Sequence, residues 1–282
     1  MSEAPKRTPP RLIELLEIRP VTPSLLRLTF GGPALEGFGP GWPAAHIKLF
    51  FPRGHQTVPQ LPTLNAEGRP VWPPAGEAPV VRTYSVRRHD VSRQTLEVDF
   101  VIHEPSGPAS HWAAYARPGM KVGLAGPGGP QPMLSPADWY LLTGDLSALP
   151  GISALVESMP RDARGHVFVQ LDDARDQQEL RAPKGVQVHW LVSSAASGRA
   201  GQAEADGSSW VETVRRTPFP EGTPQVWLAG ENTQVVALRD HLLKTRPASR
   251  AAMYAVPYWK RRQNEEQYHK ERHRIMDELS PA

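Results

Sequence analysis

The stretch Val80-Val81-Arg82-Thr83-Tyr84-Ser85-Val86-Arg87-Arg88 follows a run of turn-forming residues, Pro73-Pro74-Ala75-Gly76-Glu77-Ala78-Pro79. β-Branched and aromatic residues after such punctuation predict a strand over Val80–Arg88. Side chains on a strand alternate faces. Arg82, Tyr84 and Val86 therefore share one face, and Thr83, Ser85 and Arg87 the other. One face carries a fork of donors beside an aromatic ring; the other carries two hydroxyls beside a cation. A flavin dinucleotide asks for this equipment: a bidentate guanidinium for its pyrophosphate, a flat neighbour for its ring and a short polar partner for its N5/O4 edge. Taken alone, Arg-x-Tyr-Ser also fits an ordinary amphipathic edge strand that keeps its arginine in solvent.

Downstream, the alternation that begins at Leu96 predicts a second strand, Thr95–His103, lying beside the first. Leu12–Ile18, Leu25–Phe30, His46–Phe51 and Lys121–Leu124 read as further strands, with Gly and Pro in nearly every gap. Short strands separated by turn signals predict a small antiparallel barrel or sandwich. The Pro-rich gap from Pro52 to Pro79 reads as a surface excursion. After the second strand, Ser106 or Gly107 can cap a helix with Pro108 at its first position. The free N–H groups and dipole of a helix start make an anion site; the other reading is a short helix that merely closes the barrel.

Gly126-Pro127-Gly128-Gly129-Pro130-Gln131-Pro132 breaks the pattern and is the predicted linker, dividing the chain into residues 1–130 and 131–282. Beyond it strands and helices alternate: Trp139–Thr143, then a helix over Leu149–Met159; His166–Leu171; Val186–Val192, then a helix over Trp210–Arg216; Gln225–Ala229, then a helix over Thr233–Lys244; and Ala252–Val256. Such alternation predicts a parallel sheet with helices on its faces, which takes ligands at the carboxyl ends of its strands. Two of those ends stand out, Thr143-Gly144-Asp145-Leu146-Ser147 and Ala229-Gly230-Glu231-Asn232-Thr233. Neither carries the G-x-G-x-x-G dinucleotide fingerprint.

Composition narrows the function classes. The chain has 282 residues, enough for about two domains. Its 32 basic and 29 acidic residues nearly cancel, which argues against nucleic acid as a partner. Cysteine is absent, excluding disulfides, thiolate metal sites and a thiol nucleophile. The polar N-terminus, Met1 to Arg7, does not read as a signal peptide, and no apolar run is long enough to span a bilayer. A cytoplasmic location is expected. The polar tail from Tyr258 to Arg274 predicts a helix starting near Asn264. His269 and His273 lie one turn apart on it, a zinc-compatible spacing without a third ligand.

Taken together, these segments resemble the siderophore-interacting proteins, flavin-dependent ferric-siderophore reductases related to ferredoxin reductases. The resemblance covers nearly the whole chain. It is carried by Arg82-Thr83-Tyr84-Ser85-Val86-Arg87, Val98-Asp99-Phe100-Val101-Ile102-His103, Gly107-Pro108-Ala109-Ser110-His111-Trp112-Ala113 and Gly126-Pro127-Gly128-Gly129. It continues in Asp138-Trp139-Tyr140-Leu141-Leu142-Thr143-Gly144-Asp145, Ala148-Leu149-Pro150, Trp227-Leu228-Ala229-Gly230-Glu231 and Tyr258-Trp259-Lys260-Arg261. It implies an FAD-binding β-barrel over residues 1–130 and an NAD(P)H-binding α/β domain with a C-terminal helix over 131–282.

By position, the resemblance implies that Arg82 holds the FAD pyrophosphate, Tyr84 packs beside the flavin and Ser85, with Thr83, faces its polar edge. Asp99, Val101 and His103 belong to the second flavin strand, Ala109 and Ser110 donate to phosphate, and Asp145, Ser147 and Glu231 line the second domain's cofactor side. The implied reaction passes a hydride from NADH or NADPH to the flavin and then single electrons to a ferric siderophore. Lys48, Lys260 and Arg261 are the residues expected to capture that anionic chelate. Asp172-Asp173, which follow the strand ending at Leu171, can accept from a ribose 2′-hydroxyl and repel a 2′-phosphate, so NADH is the expected donor; Arg175 is close enough to reverse that preference. Two other readings stay open: a flavoprotein that exchanges electrons with a ferredoxin or flavodoxin, and a carrier that binds ferric siderophore without turnover.

Overall fold

The computed structural model describes residues 8–39, 42–103, 106–193, 208–245, 248–263 and 268. The first strands are β1 (Arg11–Thr22), β2 (Leu25–Gly31) and β3 (His46–Phe51), followed by a two-stranded hairpin, β4 (Thr63–Leu64) and β5 (Pro70–Val71), inside the Pro-rich excursion. Then come β6 (Val80–Ser85), β7 (Arg88–Asp90), β8 (Thr95–Val101), helix α1 (Pro108–Tyr115) and β9 (Lys121–Gly128). Seven of these strands form one antiparallel sheet in the order β6-β3-β9-β1-β2-β8-β7. β6 and β7 stand at opposite edges, yet only Val86 and Arg87 separate them along the chain. One residue advances the backbone by at most about 3.8 Å, so the two edges must meet and the sheet curls into a barrel.

The expected strand over Val80–Arg88 is therefore two strands. The Val86 N–H donates to the Ala45 carbonyl at 2.8 Å, on the β3 side, and the Arg87 N–H donates to the Glu97 carbonyl at 3.0 Å, on the β8 side. The chain steps from one edge of the sheet to the other between these two residues. Val86 goes with the step into the core, where it is 3% exposed. Alternation fills the rest of that core: Leu28, Phe30, Ile47, Leu49, Val98 and Phe100 are all buried. The predicted linker also needs correcting. Gly126-Pro127-Gly128 belongs to β9, where β3 pairs through His46↔Gly128 and Lys48↔Ala125 with a register shift between them. The extra residues are absorbed as a bulge, which a Gly at φ +123° can turn.

The chain forms two compact units, Met1–Pro130 and Gln131–Ala282. The second unit runs β10 (Trp139–Asp145), α2 (Leu149–Ser158), β11 (Arg164–Leu171), β12 (Gly185–Val192), α3 (Ser208–Arg216), β13 (Pro224–Glu231), α4 (Asn232–Thr245) and β14 (Met253–Trp259). Its five strands are parallel, in the order β12-β11-β10-β13-β14. The antiparallel barrel followed by a parallel sheet is the order read from the sequence. From β10 the chain builds outward through β11 to β12, then returns to the other side of β10 for β13. The reversal puts the topological switch point between β10 and β13, where an open α/β sheet has its ligand crevice. Of the expected tail helix, Tyr268 is described: it is helical and buried, and its hydroxyl donates to Asn232 Oδ1 at 2.8 Å. Asn264, His269 and His273 lie outside the described residues. Among the described residues no helix is long and apolar enough to cross a membrane.

One packing detail predicts acid sensitivity in the second unit. His166 on β11 and His189 on β12 approach to 3.1 Å between Nδ1 and Nε2, and the His189 ring stacks on Phe168 at 4.4 Å. Burial lowers the pKa of both, and His189 lowers that of His166 further. The fold thus favours the neutral rings, whereas the unfolded chain takes up protons near pH 6.5. The unfolded state then binds more protons as pH falls, so stability is full above about pH 7.5 and declines below about pH 6.5. The expected observation is a melting temperature that is flat at neutral pH and drops on acidification. His189→Phe, which keeps a ring in the stack, should make that drop shallower. An unchanged pH profile in this variant would remove the pair as its source.

Candidate functional site

Two clusters of predicted site residues form, one in each unit. In the barrel, α1, which carries Ala109 and Ser110, packs against β6, which carries Arg82 to Ser85, and β8, which carries Asp99 and Val101. Arg82 is half-buried, with Nη1 donating to the Val81 carbonyl at 2.8 Å. Tyr84 packs on Phe100, ring centroids 4.4 Å apart, and on Phe51 at 6.4 Å. Ser85 is buried and Thr83 exposed. Val101 closes β8 half-buried, and His103 is exposed two residues further on. Lys48 is exposed on β3, paired across the ladder with Thr83 and therefore on the face opposite Arg82 and Tyr84.

Helix α1 starts as expected, with Gly107 as its N-cap and Pro108 at the first position, and no side chain caps it. Ala109 and Ser110 occupy the next two positions, and both are buried. The Ser110 hydroxyl is fully buried and has no hydrogen-bond partner among the described residues. A buried orphan hydroxyl costs about 1–3 kcal/mol unless something accepts from it. An orphan donor beside uncapped helix N–H groups is a cradle for an anionic oxygen. A dinucleotide pyrophosphate is the kind of anion such a cradle can take, and β6, which carries Arg82, packs against the same helix.

Asp99 turns out differently from its expected place among the cofactor residues. Its carboxylate accepts from Arg27 Nε at 2.6 Å and Nη2 at 2.7 Å, and its side chain is 1% exposed. Glu97 adds a second acid 3.5 Å from Arg27 Nη1. Asp99 is the buried half of a cross-strand ion pair between β8 and β2. Nothing in its local sequence marks this, since its partner lies 72 residues away.

The second cluster sits at the switch point. Both Asp145 oxygens are engaged. Oδ1 accepts from the Ser147 N–H at 2.9 Å and the Ser147 hydroxyl at 2.6 Å. Oδ2 accepts from the Glu231 N–H at 2.9 Å and from Trp259 Nε1 at 2.8 Å. Burial pushes the Asp145 pKa up, and the donors from Ser147, Trp259 and Glu231 pull it down. The approach depends on Gly230: a Cβ there would lie 2.6 Å from Asp145 Oδ2, and its φ is +131°. Glu231 is buried, and Oε2 caps α4 by accepting from the N–H groups of Thr233 at 2.7 Å and Gln234 at 3.3 Å. Its other oxygen accepts from the Arg261 N–H at 3.4 Å. Trp259, which was not among the expected site residues, is thus part of the cluster; its one sign in the sequence is its place beside Lys260. Lys260 itself is half-buried. Asp172 is apart from this group, exposed just beyond β11, with its Oδ1 accepting from the Ser193 hydroxyl at 3.3 Å. Arg175 is held onto Asp173 at 2.5 Å.

Similarities to known proteins cover both units. A family described as the siderophore-interacting FAD-binding domain matches residues 14–131, and one described as siderophore-interacting protein matches residues 137–262. The ferric vibriobactin reductase ViuB of Vibrio cholerae is 39% identical over 280 residues, 99% of this chain and 99% of that protein. The NADPH-dependent ferric-chelate reductase of Escherichia coli is 28% identical over 255 residues, 88% of this chain and 92% of that protein. Among solved structures, the siderophore-interacting protein SipS from Aeromonas hydrophila is 35% identical with a TM-score of 0.81, covering 97% of this chain and 100% of that one.

Proposed function

The chain belongs to the siderophore-interacting protein family, and we propose that it is an FAD-dependent oxidoreductase that moves electrons from NADH or NADPH to a ferric siderophore. The observation that carries this reading is the 39% identity to a ferric vibriobactin reductase over 99% of both chains. The FAD part of it is also supported by the Ser110 hydroxyl, which is buried beside an uncapped helix start and has no partner among the described residues.

In this reading residues 1–130 hold FAD and residues 131–282 hold the nicotinamide nucleotide. Arg82 and the start of α1, through Ala109 and Ser110, bind the pyrophosphate. Tyr84 supplies an aromatic wall, Thr83 and Ser85 supply hydroxyls, and Val101 and His103 flank the same strand. FAD, when bound, supplies a carrier that accepts a hydride and passes on electrons one at a time. The protein does not need to ligate iron. Fe(III) is held by hard anionic oxygens, and Fe(II) is held by them less tightly, so reduction loosens the metal from its chelator. What the protein must do is bind the anionic chelate, and Lys48, Lys260 and Arg261 provide the attraction.

The donor preference rests on the end of β11. The Asp172 carboxylate is suited to a ribose 2′-hydroxyl and opposed to a 2′-phosphate, and the neighbouring cation, Arg175, is drawn onto Asp173. NADH is therefore expected to give the higher kcat/KM, unlike what the name of the Escherichia coli relative says of that protein. Anaerobic stopped-flow reduction of the holoprotein by NADH, NADPH and a reduced ferredoxin, side by side, checks this. Faster reduction by NADPH would overturn the role given to Asp172. Reduction by ferredoxin alone would overturn the nicotinamide site as a whole.

A further inference from the structure

Resting on the proposal that Lys260 and Arg261 capture the chelate, we infer that Asp145 and Glu231 are positioning residues for that capture: they mount the strap Trp259–Arg261 and do not contact the nicotinamide nucleotide.

The mount is visible on both sides of Lys260. Before it, Trp259 is tied by its indole N–H to Asp145 Oδ2 at 2.8 Å. After it, the Arg261 N–H reaches Glu231 Oε1 at 3.4 Å. Beyond that, the chain turns back, with the Gln263 N–H donating to the Lys260 carbonyl at 3.2 Å and Arg262 in the left-handed region at φ +60°. These ties are needed because β14 is an edge strand. Among the described residues it has a neighbouring strand on one side only, and its end would otherwise fray. A bulge falls at the same place: Gly230 pairs with Pro257 and Glu231 with Trp259, leaving Tyr258 extra. Bulges re-aim the residues that follow them, and here those residues are Trp259, Lys260 and Arg261.

The two acids have little left for another ligand. Asp145 already accepts four hydrogen bonds. Glu231 is 4% exposed, and its oxygens are spent on the cap of α4 and on Arg261. The switch point of the sheet is thus occupied in part by the protein's own carboxylates, which hold the segment that carries the cations.

The inference has a sign that separates it from plain electrostatics. Asp145→Asn removes a carboxylate from the mount of the segment that carries Lys260 and Arg261. If charge were all that mattered, an anionic chelate would bind more tightly. If Asp145 is a mount, the variant loosens the strap, because an amide offers one acceptor oxygen where four donors converge, and binding weakens. Trp259→Phe removes the N–H tie without changing charge and should act in the same direction. The probe is the redox-inert Ga(III) complex of an anionic tris-catechol chelator, titrated calorimetrically into FAD-loaded protein at low salt, with a neutral Ga(III) trihydroxamate as the comparison.

Both variants should raise Kd for the anionic complex about tenfold, the equivalent of one charged hydrogen bond at its weaker end. Binding of the neutral complex should change less, and anaerobic reduction of the flavin by NADH should keep its rate. Tighter or unchanged binding of the anionic complex in Asp145→Asn overturns the inference. So does a slower reduction by NADH, which would make Asp145 a nicotinamide contact. Lys260→Ala is measured alongside. If it weakens binding while Asp145→Asn and Trp259→Phe do not, only the positioning role falls. If Lys260→Ala binds the anionic complex like the unaltered protein, the capture reading fails and the inference fails with it.

Discussion

Asp99→Ala is expected to destabilise the barrel unit by about 3 kcal/mol, the low end of the range for breaking a buried ion pair. Arg27 and Asp99 form a bidentate pair with side chains 11% and 1% exposed. Removing the carboxylate leaves a guanidinium in a place water scarcely reaches. Glu97, at 3.5 Å from Arg27, softens the loss and keeps it low in the range. The two residues join β8 to β2 in the middle of the ladder, at Arg27↔Asp99, so the loss falls on sheet pairing. Urea unfolding of the variant should show a shifted midpoint with an unchanged slope. FAD affinity of the folded fraction should stay the same, since both Asp99 oxygens face Arg27. A variant that keeps its stability but releases FAD would return Asp99 to the cofactor site.

The second large effect is expected from Arg82→Ala. Arg82 lies on β6, which packs against α1, the helix with the uncapped start and with a Ser110 hydroxyl that has no partner among the described residues. Its loss should cost about 1.5–3 kcal/mol of FAD affinity, the range for hydrogen bonds to charged groups. That corresponds to roughly a tenfold to hundredfold higher Kd. Fold stability without FAD should change little, because Arg82 is half-buried on a strand whose core neighbours remain. The check is FAD retention through desalting, followed by a binding titration on the stripped protein. Unchanged retention would mean that the pyrophosphate lies elsewhere.

Much of this was legible in the residues, because it depends on local pattern. Alternation in Leu25–Phe30 and Thr95–Val101, and apolar strands followed by helix starts in the second half, are properties of a few neighbouring side chains. The Gly107-Pro108 helix start is equally local. What could not be read is what depends on where distant segments meet. Val86 and Arg87 look like strand residues; that the chain crosses between sheet edges there follows from closure of the barrel. Gly126-Pro127-Gly128 looks like a linker; it is tolerated in β9 as a bulge opposite His46 and Lys48. Asp99 looks like a ligand residue on a flavin strand until Arg27 is seen across the ladder. Asp145 reads as a lone strand-end acid; that Trp259, 114 residues on, donates to it could not be read. In each case what was hidden is a partner on another strand or loop, which no pattern of neighbouring residues displays. The apolar residues need only face inward, and their pattern is visible over a few positions.

The most direct test of the reductase assignment is an anaerobic oxidation experiment. The FAD-loaded protein is reduced with a small amount of NADH and then mixed with a ferric siderophore in the presence of a chromogenic Fe(II) chelator. The expected result is rapid return of the oxidised flavin spectrum together with colour from trapped Fe(II). A flavin that stays reduced in the presence of ferric chelates, yet is promptly oxidised by a ferredoxin or flavodoxin, would contradict the assignment and make the protein a reductase of protein partners.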